Sequence, residues 1–269
     1  MLENMDSKKG WDGYSMNSSS PRRIMSVISP GGVTYLKYKN PLMVVWWSAA
    51  FPGFGHLFIN QYIRGVLLTL AEVILNTLAH INQALMYSYT GRFQMAKDIL
   101  EIRWAVAYML IYMLSIWDSY VNAKSLNKSY RMAILENARI SPGAMYAREI
   151  QVLDRRSRLS AALMSLFFPG MGQFYNQRIG LALYAVFWWS VYSSLSFFPI
   201  SLHRLLLGDL PGSIEVLRCH WLLFMPSVAG GATYHAFETA GERNHLLRIE
   251  QRQYLQERYG DTDIRILLR

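Results

Sequence analysis

The chain has 269 residues, of which 52% are hydrophobic, 17% are charged and only one, Cys219, is a cysteine. A single cysteine excludes an intramolecular disulfide and any metal site built from several cysteines. The formal charge of +9 at neutral pH is compatible with nucleic-acid binding. However, the apolar residues lie in long uncharged blocks, and a membrane protein keeps positive charge on its cytosolic side. We therefore predict the lipid bilayer, and no nucleic acid, as a partner.

The sequence divides into four parts. Residues 1–27 are polar and rich in Ser and Asn, and they lack the continuous apolar core of a cleaved signal peptide. We predict a flexible cytosolic arm there. A first membrane repeat with a basic linker follows at residues 28–139, a second membrane repeat at 140–249, and a cytosolic tail at 250–269.

The two predicted repeats share a motif inside apolar sequence. The first copy reads Phe-Pro-Gly-Phe-Gly-His from residue 51, and the second reads Phe-Pro-Gly-Met-Gly-Gln from residue 168. Upstream of each copy, Ile-Ser-Pro-Gly begins at residues 28 and 140. This repetition predicts a duplicated membrane unit with a broken helix in each half. The residues that define each break are Pro52, Gly53 and Gly55, then Pro169, Gly170 and Gly172.

The motif resembles the two-transmembrane-helix domain of many small bacterial membrane proteins, over residues 42–123 and 159–240. Arg64-Gly65 and Trp117-Asp118 match that pattern in the first copy, whereas the second has Tyr234-His235 in place of Trp-Asp. Similar segments also precede the first helices of some sugar-transporter permeases. The resemblance implies a helical membrane fold, and it implies no particular activity because the family has no common one.

Several apolar segments are long enough to cross a membrane. Residues 180–200 carry no charge over 21 positions, and a helix of about 20 apolar residues spans a hydrocarbon core of about 30 Å. Residues 65–89 contain only Glu72 as a charged group, and shorter apolar segments occupy 104–120 and 221–237. We therefore predict an all-α integral membrane protein with two tandem repeats.

The broken segments at 42–61 and 159–177 leave two layouts open. If both segments span the membrane, the protein crosses six times, and 16 of 27 basic residues lie inside against 11 outside. If both dip in and return at the Pro-Gly break, the protein crosses four times with two re-entrant hairpins, and 22 lie inside against 5. The positive-inside rule favours the second layout, with both termini cytosolic in the cell membrane.

Seven polar residues form a candidate intramembrane site. Two readings remain open for them: a stripe that handles protons or cations, and structural hydrogen bonds between helices. An intramembrane carboxylate is costly and is expected to face a partner. The second repeat has Phe187 at the position we assign to Glu72, which favours the structural reading. The candidates are His56, Glu72, Asn76, His80, Asp118, Gln173 and His235.

Spacing and position suggest how these residues are used. Glu72, Asn76, His80 and Gln83 have the spacing of one helix face. His56 and Gln173 occupy equivalent positions, and we expect both to donate hydrogen bonds to carbonyl groups freed by the breaks. We expect Glu72 to be held by a hydroxyl group or by His56. Asp118 is expected to pair with Lys124 or Arg64, and His235 stands at its equivalent position in the second repeat.

The sequence contains no Walker loop, nucleophile elbow, His-Glu-x-x-His or dinucleotide fingerprint. We therefore expect no catalytic residue, no cofactor and no metal. Our leading hypothesis is a non-enzymatic accessory or scaffold component of a membrane complex, in contact with other membrane proteins or with itself. The alternative is a small transporter with a site at the broken helices, and a membrane enzyme is a third reading.

Overall fold

The computed structural model of the protein describes residues 25–29, 32–136, 143–145 and 150–259. Most of the predicted N-terminal arm, Pro30 and Gly31 of the first copy, the Ile-Ser-Pro of the second copy at 140–142 and the tail from residue 260 lie outside the described residues. The described chain is predominantly helical, with two short antiparallel β-hairpins that the sequence did not predict. This architecture is consistent with an all-α membrane protein.

Two hairpins and thirteen helices follow one another in the described residues. The first half contains β1 (Ser26–Ser29), β2 (Gly32–Tyr35), α1 (Pro41–Ala50), α2 (Phe54–Phe58), α3 (Tyr62–Ala79), α4 (Ile81–Tyr89), α5 (Phe93–Ile99) and α6 (Ile102–Leu135). The second half contains β3 (Gly143–Met145), β4 (Ile150–Val152), α7 (Arg158–Phe167), α8 (Met171–Tyr175), α9 (Ile179–Leu195), α10 (Phe198–Leu206), α11 (Leu210–Val216), α12 (Cys219–Leu222) and α13 (Met225–Tyr259).

Each half contains a break at its Pro-Gly pair. Proline cannot donate the backbone hydrogen bond that would continue α1 or α7. The next residue, Gly53 or Gly170, has a left-handed backbone with φ of 95° or 107°, a conformation that glycine adopts without strain. A Cβ atom on Gly53 would also lie 2.4 Å from the carbonyl oxygen of Gly65. The glycine is therefore required both for the turn and for the close approach of α3.

The elements of the two halves recur at a constant offset. Helices α1 to α6 begin at residues 41, 54, 62, 81, 93 and 102, and helices α7 to α12 begin 117 positions later in every case. The left-handed residues Asn60, His80 and Gly91 have left-handed counterparts at the same offset. Phe187, which the sequence analysis assigns as the counterpart of Glu72, stands at an offset of 115, whereas the offset of 117 in the structure aligns Gly65 with Ala182. The position equivalent to Glu72 is then Trp189 rather than Phe187.

The broken segment of the first half enters the helix bundle and turns back within it. The backbone N–H of Lys39, just before α1, donates to Oδ1 of Asn127 in α6 at 2.8 Å. At the break, the N–H of Gly53 donates to Oγ of Ser115 at 3.3 Å. These two contacts are 12 residues apart on α6, which corresponds to about 18 Å along a helix axis.

After the break the chain returns toward the level at which it entered. Nε2 of Gln61, immediately before α3, donates to Oδ1 of Asn122 in α6 at 2.9 Å. In the second half the N–H of Arg156 donates to Oδ1 of Asn244 at 2.8 Å, the counterpart of the contact between Lys39 and Asn127. In the first half, the entry and exit contacts therefore lie about 8 Å apart along α6, and the segment forms a helical hairpin.

The far ends of α6 and α13 pack together with residues of the N-terminal hairpin. A small apolar cluster there contains Met25, Tyr35, Ala133, Leu153 and Leu246, all buried. We call this region, formed by the described residues of 25–40, 124–136, 150–157 and 242–259, the inner head. Helix α13 continues without interruption to Tyr259, so the predicted boundary at 249/250 does not coincide with the end of a structural element.

Two helices, α3 and α6, are long and apolar enough to cross a membrane. Helices α9 and α10 would add a third span if counted together, although they are bent by 64°. The sequence predicted one helix over residues 65–89, but the chain breaks at His80, which has φ of 58°. The stripe from Glu72 to Gln83 is therefore divided between α3 and α4.

We predict that alanine at Gly55 or Gly172 lowers stability, because the added Cβ would lie 2.2 Å from Oγ of Ser48 or 2.1 Å from the carbonyl oxygen of Ala161. Overpacking of this kind costs about 1–3 kcal/mol. Gly180→Ala is the matched control, since nothing lies within 4 Å of its added Cβ. Thermal aggregation of the purified variants measures the effect. Equal stability of all three would show that the two breaks are not tightly packed.

Candidate functional site

The first break meets helices α9, α12 and α13 of the second half in a cluster of aromatic rings. Phe51 contacts Phe224 with ring centroids 6.1 Å apart, and Trp47 contacts Tyr234 at 5.2 Å. The buried members of this core also include Phe54, Phe58, Trp188 and Tyr192.

A cavity of about 40 Å³ remains between the rings, lined by residues of both halves. Its lining includes neither Glu72 nor His56. This volume holds at most a few water molecules, so the first break and the second half meet in a packed interface.

Glu72 connects α3 to α6 through hydrogen bonds. The side chain is buried, and its Oε1 accepts from Nδ2 of Asn76 at 3.2 Å and from the hydroxyl of Tyr108 at 3.2 Å. Among the described residues, Glu72 forms no ion pair. The hydroxyl of Tyr108 agrees with the expectation that a hydroxyl group holds Glu72. The alternative partner, His56, is instead bonded to Asp118.

Residues of the predicted stripe line a second cavity, of about 110 Å³, together with His220 of the other half. Asn76 accepts at Oδ1 from the N–H of Asn82 at 3.2 Å, and Nδ2 of Asn82 donates to the carbonyl of His220 at 2.9 Å. His80 and Gln83 also border this cavity. The stripe thus joins α3, α4 and α12 on the side of the bundle opposite the inner head.

His56 and Asp118 form a polar group beside the first break. Nε2 of His56 lies 2.9 Å from Oδ2 of Asp118, and NH1 of Arg64 lies 3.2 Å from the same oxygen. Nδ2 of Asn122 also donates to this carboxylate, at 2.8 Å. Of the two cations expected to pair with Asp118, Arg64 forms the ion pair. Lys124 lies over the ring of Tyr120 instead.

The second half uses the equivalent positions differently. Gln173 accepts at Oε1 from the hydroxyl of Ser165 and donates through Nε2 to the carbonyl of Ala232, both at 2.8 Å. His235 is buried and stacks on the ring of Phe58, with centroids 5.4 Å apart. The expectation that His56 and Gln173 serve the carbonyl groups freed by the breaks is therefore wrong.

In the first half, hydroxyl groups of other helices donate hydrogen bonds to the carbonyl groups at the end of α1. The hydroxyl of Tyr112 in α6 donates to the carbonyl of Ala49. Oγ of Ser227 in α13 donates to the carbonyl of Ala50 at 3.4 Å. The end of α1 is thus tied to both halves.

A buried charged cluster at the inner head was missed by the sequence reasoning. Glu242 in α13 accepts from the hydroxyl of Tyr35 at 2.7 Å and from the ammonium of Lys39. Burial, together with the charges of Arg178 and Lys37, lowers the pKa of Lys39 to about 7. Neither partner of Glu242 lies within an apolar segment, so their sequence context gave no signal of burial.

Two arginines complete this cluster. Arg178 is 5% exposed and donates to Oδ1 of Asn60 at 2.7 Å, which links the start of α9 to the first half. Arg243 donates to Oδ1 of Asp154 at 2.7 Å and to Oε1 of Gln177 at 2.6 Å. These contacts join the two halves and the inner head by polar bonds, whereas the interface deeper in the bundle is apolar.

Comparison of the chain with protein-family models, with curated proteins and with solved structures found no match. The relationship to the two-transmembrane-helix domain therefore remains a prediction from the motif residues.

We predict that Glu242→Ala destabilises the protein by about 3–5 kcal/mol, because it leaves the ammonium of Lys39 buried without its carboxylate. The double variant Lys39→Met/Glu242→Met should be closer to the unmodified protein, since it removes both charges and keeps the volume. Unfolding of the purified protein in mixed micelles measures both. A double variant at least as unstable as the single one would contradict the pairing.

Proposed function

We propose that this protein is a non-enzymatic, multi-pass membrane protein that acts as an accessory or scaffold component of a membrane complex. We further propose that it arose by tandem duplication of one membrane unit. The offset of 117 residues shared by the helix starts and the left-handed residues supports the duplication, because independent segments have no reason to keep one offset across six helices.

We propose four crossings, formed by α3, the apolar part of α6, α9 with α10, and the apolar start of α13. In this layout α1–α2 and α7–α8 are re-entrant hairpins that enter from the cytosol and return to it. The contacts of Lys39 and Gln61 with nearby positions of α6 support this arrangement. The charge distribution of 22 basic residues inside against 5 outside supports the orientation.

The observation that carries the scaffold proposal is the packed interface between the first break and the helices of the second half. A transporter of duplicated, broken helices binds its substrate at the repeat interface near the middle of the bilayer. Here aromatic side chains fill that interface, and the cavity left between them is only about 40 Å³. Glu72 lies outside that cavity, in hydrogen bonds between α3 and α6.

The inner head offers a surface suited to protein contacts. Helix α6 has 34 residues and α13 has 35, which is about 51 Å of helix each. A hydrocarbon core of about 30 Å leaves about 20 Å of each helix outside it. Exposed apolar side chains lie near both ends, including Leu135, which is 85% exposed, and Tyr259, which is 62% exposed.

We predict the following labelling pattern for an impermeant thiol reagent on intact cells, in a background in which Cys219 is replaced by Ala. Cysteine at Thr90 or at Leu207 should be labelled, because both positions lie in exposed turns on the outer side. Cysteine at Ser125 or Ser157 should be labelled only after the cells are made permeable. Labelling of Ser125 or Ser157 in intact cells would contradict four crossings.

We predict that Glu72→Gln preserves both protein abundance and function, because the amide can still accept from Asn76 and Tyr108. Complementation of a deletion strain at matched protein level measures function. Glu72→Ala should reduce abundance, because Tyr108 loses its acceptor, Asn76 loses one of its hydrogen bonds and a gap opens. A Gln variant that is abundant but inactive would favour the transporter, since Gln cannot exchange a proton.

A further inference from the structure

Basic side chains lie near the place where the N-terminal segment meets α13 at the inner head, since Tyr35 and Lys39, on either side of Lys37, both bond to Glu242 of α13. Lys37 lies between β2 and α1, and Arg248 and Arg252 are exposed one turn apart on α13. His245 lies among them: burial lowers its pKa, and the neighbouring charges of Lys37, Arg248 and Arg252 lower it further. Among the described residues, none of these three cations forms an ion pair. This group of three, Lys37, Arg248 and Arg252, is called the basic patch below.

The acidic side chains that face the same segment are already paired. Glu238 accepts from NH2 of Arg158 at 3.1 Å. Glu242 accepts from Lys39 and Tyr35. Glu250 stands between Arg248 and Arg252 in the sequence and offsets one charge, so the basic patch keeps an excess of positive charge that attracts an anion from outside the protein.

A cavity of about 100 Å³ lies next to this segment, between the start of α1 and α13. Its polar walls are formed by Lys39, Asn40 and Glu238, and its aromatic walls by Trp47, Phe58 and Tyr234. Nε1 of Trp47 is buried and has no hydrogen-bond partner among the described residues. The cavity thus combines hydrogen-bond donors with apolar surface.

The position along the chain places the basic patch at a polar–apolar boundary. Four residues after Lys37, α1 begins, and its first turns carry exposed apolar side chains: Leu42 is 70% exposed and Trp46 is 65% exposed. Basic side chains directly beside apolar, outward-facing surface suit the headgroup layer of a membrane, where anionic lipids attract Lys and Arg. This placement rests on the re-entrant layout of the proposed function.

We propose that the basic patch binds the phosphate group of an anionic phospholipid of the inner leaflet. One acyl chain lies along the exposed apolar face of α1, and the headgroup bridges the segment before α1 and helix α13. Because the two elements belong to different halves, the lipid joins the halves at the inner head. The ligand class is a phosphodiester lipid with a net negative charge. Zwitterionic lipids should bind more weakly, because their headgroup amine is repelled by the same cations.

The test compares two variants that remove the same number of charges from the same end of the molecule. The first carries Lys37→Gln, Arg248→Gln and Arg252→Gln. The control carries Lys124→Gln, Lys128→Gln and Arg131→Gln on α6, where all three side chains are exposed. Full-length proteins purified in a neutral detergent are titrated with phosphatidylglycerol and with phosphatidylcholine, and bound lipid is counted by native mass spectrometry.

The unmodified protein and the α6 control should prefer phosphatidylglycerol. The first variant should lose about tenfold or more in phosphatidylglycerol affinity, since each cation near an anionic headgroup contributes about fivefold. An equal loss in both variants would show a diffuse charge effect and would overturn the site, as would no loss in either. Displacement of the lipid by millimolar glycerol 3-phosphate would show that a free phosphate suffices, and this too contradicts a lipid site.

Two further measurements keep this test separate from that of the proposed function. If the first variant is unstable in detergent, Arg248→Gln/Arg252→Gln replaces it, because both side chains are exposed and on one helix. Membrane accumulation and thiol labelling of the same variants are followed in cells. If the variant loses its preference for phosphatidylglycerol while the thiol labelling is unchanged, the lipid site is supported. If the labelling pattern differs from the prediction, the membrane layout is contradicted instead.

Discussion

The backbone of each Pro-Gly break must satisfy its hydrogen bonds within apolar surroundings, and the arrangement of the neighbouring helices follows from this requirement. A break cannot face lipid, because an unpaired backbone group in hydrocarbon costs several kcal/mol. In the first half, Gly53 donates to Ser115, while the carbonyls at the end of α1 accept from Tyr112 and from Ser227. The break is thus held by α6 of its own half and by α13 of the other.

This constraint explains why small and aromatic residues meet at the interface between the halves. The short helices α2 and α8 must lie against their neighbours, so Gly55, Gly172 and Gly231 stand where an added Cβ would collide with Ser48, Ala161 or Phe54. Aromatic rings then fill the remaining space. Polar contacts between the halves occur at the two ends of this apolar interface, through Glu242 at the inner head and Asn82 at the opposite side. A molecule held in this way has a rigid centre, which suits a structural role.

The motif at residues 51–56 and 168–173 was sufficient to predict the breaks, since Pro and Gly act through local backbone geometry. The prediction of one helix over residues 65–89 was wrong. Nothing in the composition of this segment distinguishes His80, which has φ of 58°, from a helical residue. The pairing of Asp118 with Arg64 was one of the two predicted from the sequence, although Asp118 lies in the middle of α6 rather than near a helix end. The partners of Glu242 were not predicted. Lys39 and Tyr35 are more than 200 residues from it, and such contacts depend on how the two halves pack.

The re-entrant course of the broken segments is the central claim, and a distance between two spin labels tests it most directly. Labels at Tyr38 and Ile63, both exposed, flank the first broken segment, and pulsed electron spin resonance in lipid nanodiscs measures their separation. A hairpin that leaves near its point of entry predicts a separation well below the thickness of the hydrocarbon core of about 30 Å. A separation of about 30 Å or more would mean that this segment crosses the membrane, and it would contradict the layout with four crossings.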